Sequence, residues 1–191
     1  MNLTWYLKTI LKIALNTVCP YQKRGVVYYN QYSLRYFLKP YGREYLGIVG
    51  CGPCVCAIAA SSLLHEKIKP DQTAKWAFEN GYYEYQHGSL HSLIPDFCQM
   101  KGLTCTDLGN RLDDLTALLK EKEALGILLC RAKTFAGGRH FVVVGLEGTS
   151  FRVYNSCNVF DCYKKFDTET LQNALASDNI YIGPVWCISK E

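Results

Sequence analysis

The sequence predicts an α+β domain with helices in its first half and an antiparallel sheet in its second. Two observations carry this. Up to about residue 119, apolar residues recur at helical spacing behind helix-start signals. After Leu125, short β-branched and aromatic runs follow one another at 126–130, 140–146, 151–154 and 180–188, mostly with links too short for a crossover helix. The 191 residues suffice for one domain with a real core, and 49% hydrophobic against 20% charged residues is a globular balance that argues against disorder. No repeat, low-complexity tract or linker divides the chain, so residues 1–191 read as one domain.

In residues 1–18, Leu3, Leu7, Ile10, Leu11, Ala14, Leu15 and Val18 share a helical face, which predicts an N-terminal amphipathic helix docked on the domain. Lys8 and Lys12 interrupt the apolar stretch and no basic region precedes it, which argues against a signal peptide. No apolar run reaches the roughly 18 residues of a membrane span. Residues 25–29 form a short strand by composition, and 32–49, with Pro40, Gly42 and Gly47, read as a loop. A helix runs from Cys51 to about Leu64. Pro70-Asp71 opens another over 72–79, closed by Asn80-Gly81. A loop through Tyr85, His87 and Gly88 leads to a helix near 90–100, and 112–119 is helical with Asp113 and Asp114 in its first turn. Glu147-Gly148-Thr149-Ser150 is a tight link between two strands.

The formal charge of +4 is small and evenly spread, without a basic cluster interleaved with aromatics, so nucleic acid is not an expected partner. The 14 tyrosines read as core and cleft lining. Ten cysteines in a secreted miniprotein would suggest a disulfide framework, but Cys56, Cys130 and Cys187 sit inside apolar runs. Free thiols in a reducing cytoplasm are expected.

Gly50-Cys51-Gly52-Pro53 puts a thiol where a loop becomes a helix. The unpaired N–H groups of a helix start favour the thiolate, Pro53 suits the first turn, and the flanking glycines are expected to leave room for a substrate. A thiol nucleophile needs a base and a group that orients it. His140 follows Ala136-Gly137-Gly138-Arg139 and opens an apolar strand, the mouth of a cleft. His87 and His91 lie in a loop that can line the same cleft, while His65 ends a helix near lysines and reads as solvated. The next strand delivers Asn155 at its end, beside the start of the previous strand, where it can orient the imidazole; Asn158 and Asp161 are alternatives. The Cys51 backbone N–H and the Gln31 side-chain amide are candidate oxyanion donors.

Asn30-Gln31, Gly50-Cys51-Gly52-Pro53 with its Ala/Ile/Leu helix, Arg139-His140-Phe141-Val142-Val143-Val144-Gly145 and Val153-Tyr154-Asn155 occur in an order that resembles the stand-alone relatives of bacteriocin-processing, double-glycine leader peptidases of the papain-like superfamily. Pro70, Trp76-Ala77, Asn80-Gly81-Tyr82, Gly88, Pro95 and Lys101-Gly102-Leu103 resemble the family's segment between nucleophile and histidine. The resemblance covers roughly residues 26–160. It implies a papain-like fold, with the nucleophile helix packed on a C-terminal antiparallel sheet. It also implies a cysteine peptidase acting on peptide or protein substrates, with Cys51 the nucleophile, His140 the base, Asn155 the orienter and Gln31 the oxyanion donor, and without metal or cofactor. The family usually has Thr or Ser where Cys54 stands, and often Asp-Pro where Asn155-Ser156 stands.

Two other readings use the same residues. Cys51-Gly52-Pro53-Cys54 matches the thioredoxin dithiol, but Gly50 stands where Trp is usual and His140 and Asn155 are left without a role. A peptidase-like fold that only binds peptides is the other. Structural zinc is a further rival: Cys51, Cys54 and Cys56 are close and Cys157 and Cys162 form a second pair, but that pair's spacing is looser than usual for a zinc site and Cys54 and Cys56 fall on different helical faces.

Overall fold

The computed structural model describes residues 10–11, 22–23, 25–177 and 182–190. The expected amphipathic helix over 1–18 lies outside the described residues except for Ile10 and Leu11, which are helical and exposed. Five helices are labelled here: α1 (Cys51–Leu64), α2 (Pro70–Glu79), α3 (Leu93–Met100), α4 (Leu112–Glu121) and α5 (Thr168–Ala174). Five strands form the main sheet: β1 (Thr104–Gly109), β2 (Ala124–Cys130), β3 (His140–Glu147), β4 (Ser150–Tyr154) and β5 (Val185–Ser189). Every pairing in this sheet is antiparallel, in the order β4-β3-β2-β5-β1.

The sheet separates two cores by the alternation of side chains along each strand. Ile127, Leu129, Phe141, Val143, Trp186 and Ile188 pack on the side of α1. Leu128, Val142, Val144, Val153 and Cys187 face α4 and α5 through Leu112, Leu115 and Leu171. Gly126 belongs to the second face; a Cβ there would overlap Leu115 and Val144.

Helix α1 is buried on all sides from residue 52 to 63, because its sequence is apolar right round rather than on one stripe. Each fully buried aliphatic side chain contributes roughly 1.5–3 kcal/mol, so the start of α1 is anchored firmly. Its two buried serines are satisfied: Ser61 Oγ donates to the Ile68 carbonyl at 2.9 Å and Ser62 Oγ to that of Ile58 at 2.6 Å.

The tight turn at Gly148, with φ +65°, closes the β3–β4 hairpin and pairs Ser150 with Glu147 and Tyr154 with Val143. That register brings Asn155, just past β4, next to the first residues of β3. Arg152 on β4 pairs with Glu147 and donates through Nη1 to the Tyr163 and Lys164 carbonyls at 2.7 and 3.1 Å. It thereby pins the 3-10 turn Val159–Tyr163 against the hairpin.

Several expected elements change. The strand over 25–29 shrinks to Val26–Val27, paired with Gln22–Lys23. The 32–49 loop contains a ladder of Pro40–Tyr41 with Glu44–Tyr45 and a helical turn, Leu46–Val49. The helix near 90–100 starts at Leu93, and the last strand begins at Val185. Strand β1 has no counterpart in the sequence reading. It is a half-exposed edge strand, and its only partner in the sheet is β5, some 80 residues on.

Candidate active site

Cys51 is the first residue of α1, behind Gly50 at φ −88° and ψ 16°. Its side chain is partly exposed, while the residues after it are buried. A cleft of about 910 Å³ runs across this helix start. Gln31, Cys51, His91, Arg139, His140 and Cys157 all line it. The sequence expectation that His87 and His91 face the cleft holds, and His65 lies outside it, exposed near Glu123.

The flanking glycines do not open space for a substrate. A Cβ on Gly52 would overlap Ser89, and one on Gly50 would overlap Leu46. They allow neighbouring segments to close on the helix start, where Ser89 is held by a 2.7 Å hydrogen bond with Tyr41 Oη.

Burial pushes the Cys51 thiol above its ordinary pKa, opposed by hydrogen bonds from the backbone N–H groups of Phe141, Gly52 and Cys51 itself. The N–H groups of the helix start do favour the thiolate, as expected from sequence, but burial outweighs them and the net direction is upward. The Phe141 contact ties the sulfur to the strand that carries His140, one residue away.

His140 is 3% exposed and Asn155 fully buried. His140 Nε2 lies 2.8 Å from Asn155 Oδ1. The amide is fixed the right way round, because Asn155 Nδ2 donates to the Phe135 carbonyl at 3.0 Å and to Asp161 Oδ2 at 2.9 Å. Oδ1 also accepts the Cys157 N–H at 2.9 Å. An oxygen in that position only accepts, so Nε2 carries the proton and Nδ1 keeps its lone pair. The Asn155 carbonyl is itself held by Tyr28 Oη at 2.7 Å. Burial lowers the His140 pKa to about 4, against the raising effects of the Asn155 hydrogen bond and the Asp161 charge. Burial thus opposes charge on the thiol and the imidazole alike. Proton transfer between them makes a pair of opposite charges, each stabilising the other.

Gln31 is buried at the mouth of the same cleft. Its Oε1 accepts from Ser156 Oγ at 2.9 Å and its backbone N–H donates to the Ser156 carbonyl at 2.9 Å. Nε2 donates to the Gly47 carbonyl at 3.3 Å and has a second hydrogen to offer. Asn155-Ser156 therefore contacts both polar side chains that flank Cys51.

Asp161 and Asn158, the alternative orienters, stand behind Asn155 instead of against the imidazole. Cys157 was not singled out by sequence for this site, yet its sulfur lies 3.9 Å from His140 Nδ1. Its place two residues after Asn155 was the available signal. Cys51, Cys54, Cys56, Cys98, Cys105, Cys130 and Cys187 are free thiols, Cys54 being fully buried.

A buried helix bearing a half-open thiol, set on an antiparallel sheet that supplies an imidazole and an amide, defines an α+β fold of the papain-like kind. Among solved structures, the peptidase domain of Streptococcus ComA, described as a bi-functional ABC transporter involved in a quorum-sensing pathway, is similar at a TM-score of 0.51. The alignment covers 75% of this chain and 93% of that one at 12% identity, a likeness of fold. No protein-family model and no curated protein sequence matches this chain. Among the described residues, no helix is long and apolar enough to cross a membrane.

Proposed function

We propose that this chain is a cysteine peptidase that cleaves peptide or isopeptide bonds through a thioester acyl-enzyme. The observation that carries this reading is the junction of α1 and β3. The Cys51 sulfur takes the Phe141 N–H, while the adjacent His140 is held by Asn155 at Nε2, so that Nδ1, with Cys157 Sγ 3.9 Å away, is the nitrogen left to act as a base.

In this mechanism the Cys51 thiol proton passes to His140 Nδ1 as sulfur attacks the substrate carbonyl carbon. The oxyanion is met by the Cys51 N–H and the free Gln31 Nε2 hydrogen. The tetrahedral adduct collapses to a thioester, and the leaving amine takes the proton from His140. Water, deprotonated by the same nitrogen, attacks the thioester, and carboxylic acid leaves as the thiol is reformed. Asn155 holds the imidazole in one tautomer and angle throughout. Acylation is the same for transfer to another amine, and only the acceptor differs. The free thiols among the described residues suit a reducing cytoplasm.

The test is turnover of a panel of short acyl-peptide amides and thioesters, with mass spectrometry of the trapped protein. Expected are an acyl adduct on Cys51 and loss of turnover in Cys51→Ala and His140→Ala. Absence of any adduct on Cys51, or turnover unaffected by either substitution, overturns the assignment.

A further inference from the structure

The buried carboxylate of Asp161 has no place in the mechanism above. It is 6% exposed and lies on the far side of Asn155 from the imidazole. Its Oδ2 accepts from Asn155 Nδ2 at 2.9 Å and from Asn158 Nδ2 at 3.1 Å, and its Oδ1 meets Lys164 Nζ at 3.1 Å. The turn that carries it is pinned by Arg152 to the hairpin that carries His140 and Asn155. A buried ion pair is weak evidence for a stability role, since desolvation offsets much of its attraction. Its position two hydrogen bonds behind the imidazole suggests a different use.

We propose that Asp161 is a positioning residue for the catalytic pair. It fixes the Asn155 amide by a charged acceptor and supplies the counter-charge for the imidazolium that forms when Cys51 gives up its proton. This rests on the reading of Cys51 and His140 as nucleophile and base. A neutral amide alone gives His140 a dipole; the carboxylate behind it makes the arrangement a Cys-His-Asn-Asp chain whose far end is negative. The other titratable or charged groups facing the cleft that holds His140 are Cys51 from α1, Cys157 from the turn after β4, Tyr32, Glu84, His87 and His91 from the cleft loops and Arg139 beside it in sequence, with Lys164 on Asp161. Lys164 is the group that screens Asp161 and it is 60% exposed.

The test is the pH dependence of Cys51 alkylation by iodoacetate. The reagent's carboxylate makes the rate sense the imidazolium as well as the thiolate, so the alkaline limb reports loss of the His140 proton. Asp161→Asn keeps an acceptor for Asn155 Nδ2 but removes the charge. Removing one charge that lies two hydrogen bonds from the imidazole, its effect roughly halved by Lys164, moves that limb toward acid by on the order of one pH unit at an effective dielectric near 20. Lys164→Met, on the surface, unmasks the carboxylate and moves the limb the other way by a comparable amount, up to about one unit. Shifts of opposite sign support the proposal, because a structural disturbance would not reverse with the sign of the deleted charge. Superimposable profiles, or shifts in the same direction, overturn it. Should Asp161→Asn fail to fold, Lys164→Met decides alone: an upward shift supports the proposal and no shift overturns it. His140→Ala separates the two readings. If it leaves the alkaline limb in place, the Cys51–His140 pair itself fails and the proposal with it. If it abolishes the limb while the Asp161 and Lys164 variants do not move it, only the role of Asp161 is lost.

Discussion

Asn155→Asp swaps an amide for a group of the same shape, and the structure makes it a severe change. The nitrogen it replaces lies 2.9 Å from Asp161 Oδ2 and 3.0 Å from the Phe135 carbonyl. A carboxylate there would face two acceptors and no donor. Two negative oxygens at that distance repel by about 6 kcal/mol at an effective dielectric near 20. The pair avoids most of that by retaining one proton between them. The unfolded chain ionises both carboxyls above about pH 4, so holding that proton costs stability as pH rises. The loss relative to the parent is expected to be about 1 kcal/mol at pH 4 and to grow to about 3 kcal/mol at pH 7.5, with Lys164 relieving part of it. Urea unfolding of both proteins at several pH values measures this. The trapped O–H would point at Asp161 and leave the other oxygen for His140 Nε2, so turnover should survive better at mildly acid pH than at alkaline pH. Equal stability of variant and parent across the range would refute the Asn155–Asp161 contact and the reasoning built on it.

His140 gives the parent a pH slope of its own. Its folded pKa of about 4 lies below the ordinary 6.5, so between these values the unfolded chain binds the extra proton. Stability should therefore fall by about 3 kcal/mol as pH drops through that window and be unaffected by it above pH 7. His140→Gln should flatten the slope, and parallel curves in urea would contradict the burial argument. Gln31→Ala should cost about a hundredfold or more in the catalytic constant, on the order of 3 kcal/mol of transition-state stabilisation, with the iodoacetamide labelling rate of Cys51 retained. Unchanged turnover by that variant would remove Gln31 from the site.

What could be read in the sequence was local. The Gly-Cys-Gly-Pro helix start, His140 at the head of an apolar strand and Asn155 at the tail of the next depend on short-range pattern, and the hairpin register then brings the last two together. What failed depended on distant neighbours. Gly52 is filled by Ser89 from the segment before α3, not open to substrate. The Cys51 pKa follows burial by surrounding segments as well as its own helix. Asp161 was placed near the imidazole, but the turn after β4 holds it one residue further out, behind Asn155. The polar strand β1 has no clean alternation and exists because β5 offers it an edge.

The place of β5 in the sheet bears on how the protein is made. Strands β2, β3 and β4 are neighbours in sequence and in space, so this meander can form while the chain is still leaving the ribosome. Strand β1 cannot join them, because Val185–Ser189 must lie between it and β2. Trp186 and Ile188 also complete the core under α1, and Ile182 lines the cleft beside Cys51. A nascent chain thus carries its imidazole and amide early but lacks the floor on which the thiol is set. The proposed site is therefore complete only once Val185–Ser189 has been inserted into the middle of the sheet.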